Sequence, residues 1–238
     1  MSDRSESDSP GLVDSAVDRV RDIVDQAILR SVKGLEFVTS PAPEVGVTPK
    51  EILYERGTLR LYHYLPQTDE VYRVPVLLVM ATTQKAFVFD LAPGQSMVEF
   101  LVKQGFDVYV VDWAPPTPEE TRLDLADYTQ DFLPACVREV QLDSGEQDVS
   151  IVGYCMGGVL SLIYAATHPE GPLKNLACIT TPVDWSHMGL TRIWSDERHF
   201  DVDRLVDTLG IVPKDVVAAS FDMLRPAQKT AGRIRVWE

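Results

Sequence analysis

The sequence predicts an α/β fold with a mostly parallel sheet, and three observations predict it. Short apolar runs alternate with amphipathic stretches between residues 75 and 181. One of those runs, Val149 to Val152, passes through a glycine-flanked cysteine directly into a helical segment. Beyond Thr181 the alternation stops and gives way to a mixed polar, aromatic and helical region. Strands that alternate with helices need right-handed crossovers, and such crossovers build parallel sheets.

Residues 1 to 10 are polar, run into Pro10-Gly11, and are expected to be a disordered tail. From Leu12 to Leu35, Val13, Ala16, Val17, Val20, Ile23, Val24, Ala27, Ile28 and Val32 recur at intervals of three and four, which predicts an amphipathic helix. That helix either packs on its own domain or serves a subunit or surface contact. Ser40-Pro41-Ala42-Pro43 and Thr48-Pro49 read as a linker, because proline denies both helix and central-strand pairing. The domain expectation is therefore a tail, helix and linker over 1–49, a core over 50–181 and a partial cap over 182–238.

Tyr54 through Tyr64 reads as two half-buried strands joined near Gly57, and Pro75 to Met80 as a fully buried strand. After a loop from Ala81 to Gly94, Gln95 to Gln104 reads as a helix stopped by Gly105, and Phe106 to Asp112 as the next strand. A helix over Asp127 to Val140, a strand at Val149 to Val152, a helix from Met156 to Ala166 and a strand at Leu176 to Thr180 follow. In the last region Trp185, Trp194, Phe200 and Trp237 are candidate lid residues or ordinary packing residues.

Composition bounds the function. With 238 residues and 45% hydrophobic content, the chain can bury one principal core. The balance of 22 Lys+Arg against 36 Asp+Glu leaves a formal charge of -14, which repels nucleic acid and anionic membrane and suits a protein kept soluble at high salt. No apolar run approaches the length that spans lipid, so no transmembrane segment is expected and the chain reads as cytoplasmic. The three cysteines have no CxxC spacing, and the four histidines are scattered without a zinc-ligand pattern. No metal and no cofactor are expected.

The chemistry concentrates at Gly153-Tyr154-Cys155-Met156-Gly157-Gly158. Small residues at 153 and 157 leave room for a sharp strand-to-helix turn that projects Cys155 above the sheet, and Gly158 lets the helix pack closely. A thiol just before a helix N-terminus faces unpaired backbone donors and the positive end of the helix dipole, which favour thiolate. The Met156 N–H is expected to face the developing oxyanion, with a second donor from the loop after Met80, near Thr82 or Thr83. Cys136 and Cys178 read as core residues, and a small buried cysteine beside a tight turn is the bland reading of Cys155 itself. This arrangement predicts an α/β-hydrolase fold, expected to be incomplete, because the acid and histidine should follow on loops after later strands. Asp184 comes too soon after its strand for the usual acid, and none of His63, His168, His187 and His199 follows a late strand.

Several segments resemble the catalytic subunit of poly(3-hydroxyalkanoate) synthase, of the two-subunit or haloarchaeal type. Leu101 to Trp113 is similar to the family's strand leading to an Asp-Trp pair, and residues 153–158 match its cysteine form of the lipase box. Thr180 to Trp185 and Phe200 to Asp207 resemble its cap, whereas Gln84-Lys85 replaces the family's usual Asn-Lys or Asn-Arg. The resemblance spans roughly residues 50 to 238 and implies an acyltransferase that polymerises 3-hydroxyacyl-coenzyme A through a cysteine thioester at the surface of polymer granules. It also implies a growing polyester chain, a second noncatalytic subunit and self-association through the cap. Family members continue past the cap to an aspartate and a histidine, so a truncated chain is expected here. Two other readings stand beside it: a noncatalytic homologue acting by association, and another thioesterase or acyltransferase of the same fold.

Overall fold

The computed structural model describes residues 44–187, 189, 192–193 and 196–224. The chain divides into two compact units, 43–213 and a second formed by 1–42 with 214–238. The helix expected over Leu12 to Leu35, together with Trp194 and Trp237, lies outside the described residues.

In the first unit six strands form one sheet: β1 (Lys50–Arg56), β2 (Leu59–Tyr64), β3 (Val76–Val79), β4 (Val108–Trp113), β5 (Val149–Tyr154) and β6 (Leu173–Ile179), in the order β1-β2-β4-β3-β5-β6. β1, β2 and β4 pair antiparallel, and β3–β4, β3–β5 and β5–β6 pair parallel. The hairpin between β1 and β2 turns at Gly57, whose φ of +55° suits a residue without a Cβ.

The helices are α1 (Met97–Lys103), α2 (Leu133–Ser144), α3 (Met156–Thr167) and α4 (Val202–Leu209). A π-helical turn, Asp127–Phe132, leads directly into α2. The second unit contributes α5 (Lys214–Leu224) among the described residues. α1 starts at Ser96, whose hydroxyl accepts from the Glu99 N–H, and gives way to Gly105 at φ +85°.

β3 and β4 are buried along their whole length because helices cover both faces of the sheet. On one face Leu77, Val79, Tyr109, Val111, Trp113 and Ile151 pack against Cys136, Val137 and Val140 of α2 and Leu160 and Tyr164 of α3. On the other, Leu78, Met80, Val108 and Val110 pack against Val98 and Val102 of α1 and Ala86 and Phe89 of a short 3₁₀ turn. Each large apolar side chain removed from water contributes roughly 1.5–3 kcal/mol, so these two layers hold the sheet.

β6 begins three residues before the expected Leu176 and forms an edge of the sheet among the described residues. The expectation that Cys178 lies in the core is corrected: it is exposed. An apolar strand reads as buried only if both neighbours and both faces are covered, and here Lys174, Asn175, Ala177 and Cys178 lie open.

Candidate active site

β5 delivers the chain to Cys155, and α3 begins at the next residue. Cys155 has φ +53° and ψ -122°, a conformation an L-residue adopts only when its surroundings dictate it. The surroundings do so at three glycines. A Cβ on Gly153 would stand 2.5 Å from the Gly158 Cα, and one on Gly157 would stand 2.1 Å from the Val79 carbonyl oxygen. A Cβ on Gly158 would meet the Thr181 side chain at 1.9 Å. Helix α3 therefore starts in direct contact with β3 and with the residues after β6, which no larger side chain permits.

Two backbone bonds fix the turn: the Cys155 N–H donates to Ile179 O at 2.9 Å, and the Gly158 N–H donates to Cys155 O at 3.0 Å. The N–H groups of Met156 and Gly157, at the start of α3, are the ones a helix leaves without a partner of its own. Cys155 is partly accessible, Cys136 is buried and Cys178 is exposed. Burial, followed by the charge of Glu139, pushes the Cys136 thiol up, which keeps it protonated and inert.

Thr82 and Thr83 lie in a turn after β3 closed by the Gln84 N–H on Ala81 O at 3.0 Å, with Thr83 exposed. Gly157 touches the β3 carbonyl just ahead of this turn, so the loop and the start of α3 are neighbours. Sequence reasoning did not assign roles to the residues that hold this loop. The Trp113 indole N–H donates to Met80 O at 2.9 Å, and an Asp112 carboxylate oxygen accepts the Ala86 N–H at 2.8 Å. Lys85 Nζ donates to Trp113 O at 2.5 Å and lies 3.8 Å from Asp112. The Asp-Trp pair at the end of β4 was the signal available in the sequence.

Two of the histidines sit elsewhere. His168 caps the far end of α3, about 20 Å from Cys155 at the usual helical rise, where it stacks on Tyr164. His63 pairs across the strands with Tyr109, near the opposite end of the sheet. The Asp184 carboxylate accepts the Ser186 N–H at 2.8 Å, the local role left open by the sequence. Hydrogen bonding by the Ser186 side chain, and then by this N–H, holds its carboxyl below the usual range. Trp185 and Phe200 are exposed at 53% and 43%, so neither is an ordinary core residue in the first unit. Among the described residues no group of three or more His, Cys, Asp or Glu is placed to hold a metal ion, and no helix is long and apolar enough to cross a membrane.

A sharp strand-to-helix turn on a sheet of this order defines a class, and comparison agrees: residues 88–221 match the alpha/beta hydrolase fold model, and the chain belongs to that family. Residues 6–101 match the N-terminal model of poly-beta-hydroxybutyrate polymerase, PhaC. The poly(3-hydroxyalkanoate) polymerase subunit PhaC of Haloferax mediterranei is 35% identical over 196 residues, covering 82% of this chain and 40% of that protein. The subunit of the same name from Synechocystis is 32% identical over 208 residues, 85% of this chain and 55% of its own length. That of Thiocystis violacea is 33% identical over 201 residues, 83% of this chain and 56% of its own length. Within the α/β-hydrolase family the chain is thus a relative of PhaC, and it spans about half the length of these curated relatives or less.

Proposed function

We propose that this chain carries the nucleophile half of an acyltransferase that polymerises 3-hydroxyacyl-coenzyme A into poly(3-hydroxyalkanoate). The observation that carries the reading is Cys155, held at positive φ between β5 and α3. Relatives named as poly(3-hydroxyalkanoate) polymerase subunits supply the substrate class. The Cys155 sulfur attacks the thioester carbonyl, the carbon–sulfur bond to coenzyme A breaks, and coenzyme A leaves with the proton. The hydroxyl oxygen of a growing chain then attacks the acyl-Cys155 carbonyl, an ester forms, and the hydroxyl proton returns to the cysteine sulfur. One thioester replaces another in the first step with little change in bond strength, which suits cysteine better than serine. The Met156 N–H and a donor at Thr83 stabilise the oxyanion formed in each step.

In this reading 1–49 is a tail, helix and linker, 50–181 the core and 182–238 the start of a cap. The partners are the coenzyme A thioester, the polyester, a second synthase subunit and a further copy bound through the cap. The place of action is the cytoplasm, at the granule surface. The test is incubation of the longest form the reading frame encodes with 3-hydroxybutyryl-coenzyme A, with and without a second subunit. Coenzyme A release, polymer and an acyl adduct on Cys155 are expected, and Cys155→Ala is expected to abolish all of them. An adduct on Cys178, or release of free 3-hydroxy acid without polymer, would overturn the reading; the latter would mark a thioesterase. The same assay on residues 1–238 alone separates a catalytic chain from one that acts only by association.

A further inference from the structure

The geometry points to Asp112 and Trp113 as positioning residues that set the loop of residues 81–85 against the Cys155 turn. The inference rests on the reading of Cys155 as nucleophile and goes beyond it, because it assigns a task to two residues outside the Cys155 turn.

Neighbouring residues on a strand point to opposite faces of the sheet. Trp113 packs in the layer of α2 and α3, with its ring against Tyr128 and Phe132. Asp112 is buried and turns to the other layer, where Ala86 and Phe89 lie. Both nevertheless reach the same loop. The Trp113 indole holds its start through Met80 O at 2.9 Å, and Asp112 holds its end through the Ala86 N–H at 2.8 Å. The loop is therefore gripped at both ends by consecutive residues of β4.

The first grip also sets a direction. A peptide unit is planar and trans, so its C=O and the next N–H point opposite ways. Fixing the Met80 carbonyl fixes the Met80–Ala81 plane, from which the turn carrying Thr82 and Thr83 departs. The same peptide lies close against the start of α3, since a Cβ on Gly157 would stand 2.8 Å from the Met80 carbonyl carbon. Lys85 completes the clamp by donating to Trp113 O at 2.5 Å and placing its charge 3.8 Å from Asp112. The buried carboxylate thus spends its contacts on the loop, where a strand of a sheet would need none. A displacement of about 1 Å in such a loop is enough to cost about a hundredfold in rate.

The test uses the longest encoded form and follows coenzyme A release. Trp113→Phe keeps the aromatic packing and deletes the indole donor. It is expected to lower kcat about tenfold or more, with KM changed less than about twofold, as expected for transition-state positioning. Asp112→Ala is expected to do the same, and Asp112→Asn, which keeps an accepting oxygen, to recover most of the loss. The rate of Cys155 alkylation by iodoacetamide is expected to stay unchanged in all three, because the backbone bonds that hold the Cys155 turn, to Ile179 O and from the Gly158 N–H, involve no loop residue. Wild-type kcat in Trp113→Phe and Asp112→Ala would overturn the inference. So would a fall in kcat matched by an equal fall in alkylation, which would mark general damage to the turn. If Trp113→Phe fails to fold, the Asp112 pair decides alone. Cys155→Ala separates the two readings: activity in that variant sinks the nucleophile assignment, whereas its inactivity beside a fully active Trp113→Phe sinks only the clamp.

Discussion

The Nε2 atom of His63 lies 2.8 Å from Asp107 Oδ1 at the edge of β4, and its Nδ1 atom lies 3.0 Å from Asp143 Oδ2 of α2. Glu51 of β1 stands 3.9 Å from the same Nδ1, and the ring stacks on Tyr109 at 4.3 Å. The Tyr109 hydroxyl closes the cluster by donating to Asp107 at 3.0 Å or Asp143 at 2.8 Å. Burial opposes a charged ring, but the hydrogen bond and charge of Asp107, then Asp143 and Glu51, outweigh it and raise the pKa above 6.5. A raised folded-state value stabilises the fold fully below the unfolded pKa, and that stabilisation fades as pH rises through the folded one. Thermal unfolding of the wild type should therefore lose stability as pH rises above about 6.5, while His63→Gln lacks this component. Identical slopes in the two proteins would reject the cluster as a pH-linked tie between β2, β4 and α2.

The three cysteines should separate by accessibility before any substrate is added. Iodoacetamide on the native protein is expected to modify the exposed Cys178 and the partly exposed Cys155, and to spare the buried Cys136 until the fold is melted. Mass mapping reads the order directly. Prompt labelling of Cys136 would mean that α2 does not pack on the sheet as described.

How far the sequence was legible depends on where each signal resides. The hairpin at Gly57, the buried β3 and β4, the helix stop at Gly105 and the Cys155 turn were legible because each depends on local pattern or on residues adjacent in the chain. The exposure of Cys178 was not, since its apolar neighbours Leu176, Ala177 and Ile179 look the same in a central strand and in an edge strand. The clamp of Asp112 and Trp113 on residues 80–86 was illegible for another reason. It joins strands that are neighbours in the sheet but about 30 residues apart, and only the register of β3 on β4 brings them together.

Stability should rise with salt. A formal charge of -14 on 238 residues repels itself in dilute buffer, and about 1 M salt shortens the screening length to roughly 3 Å. Unfolding temperature is expected to climb from dilute buffer to about 1 M potassium chloride. The gain should shrink in a variant with several surface Asp and Glu residues made neutral. A transition unmoved by salt would show that the acidic groups are too widely spaced to matter.

The sharpest stability test is Gly157→Ala. The added Cβ would meet the backbone at the end of β3 and just after it, at 2.1 Å from Val79 O, 2.7 Å from the Val79 carbonyl carbon and 2.8 Å from the Met80 carbonyl carbon. Backbone in a central strand cannot yield as a flexible side chain would, so α3 must shift and take Cys155 with it. Overpacking of this kind costs typically about 1–3 kcal/mol. Gly94→Ala is the control: its φ of +76° strains an alanine, at about 1–2 kcal/mol, but no atom lies within 4 Å of the new methyl. Chemical denaturation should show both variants destabilised, whereas acylation of Cys155 in the longest encoded form should fall steeply only in Gly157→Ala. Equal acylation rates in the two variants would mean that contact between α3 and β3 does not govern the placement of the thiol.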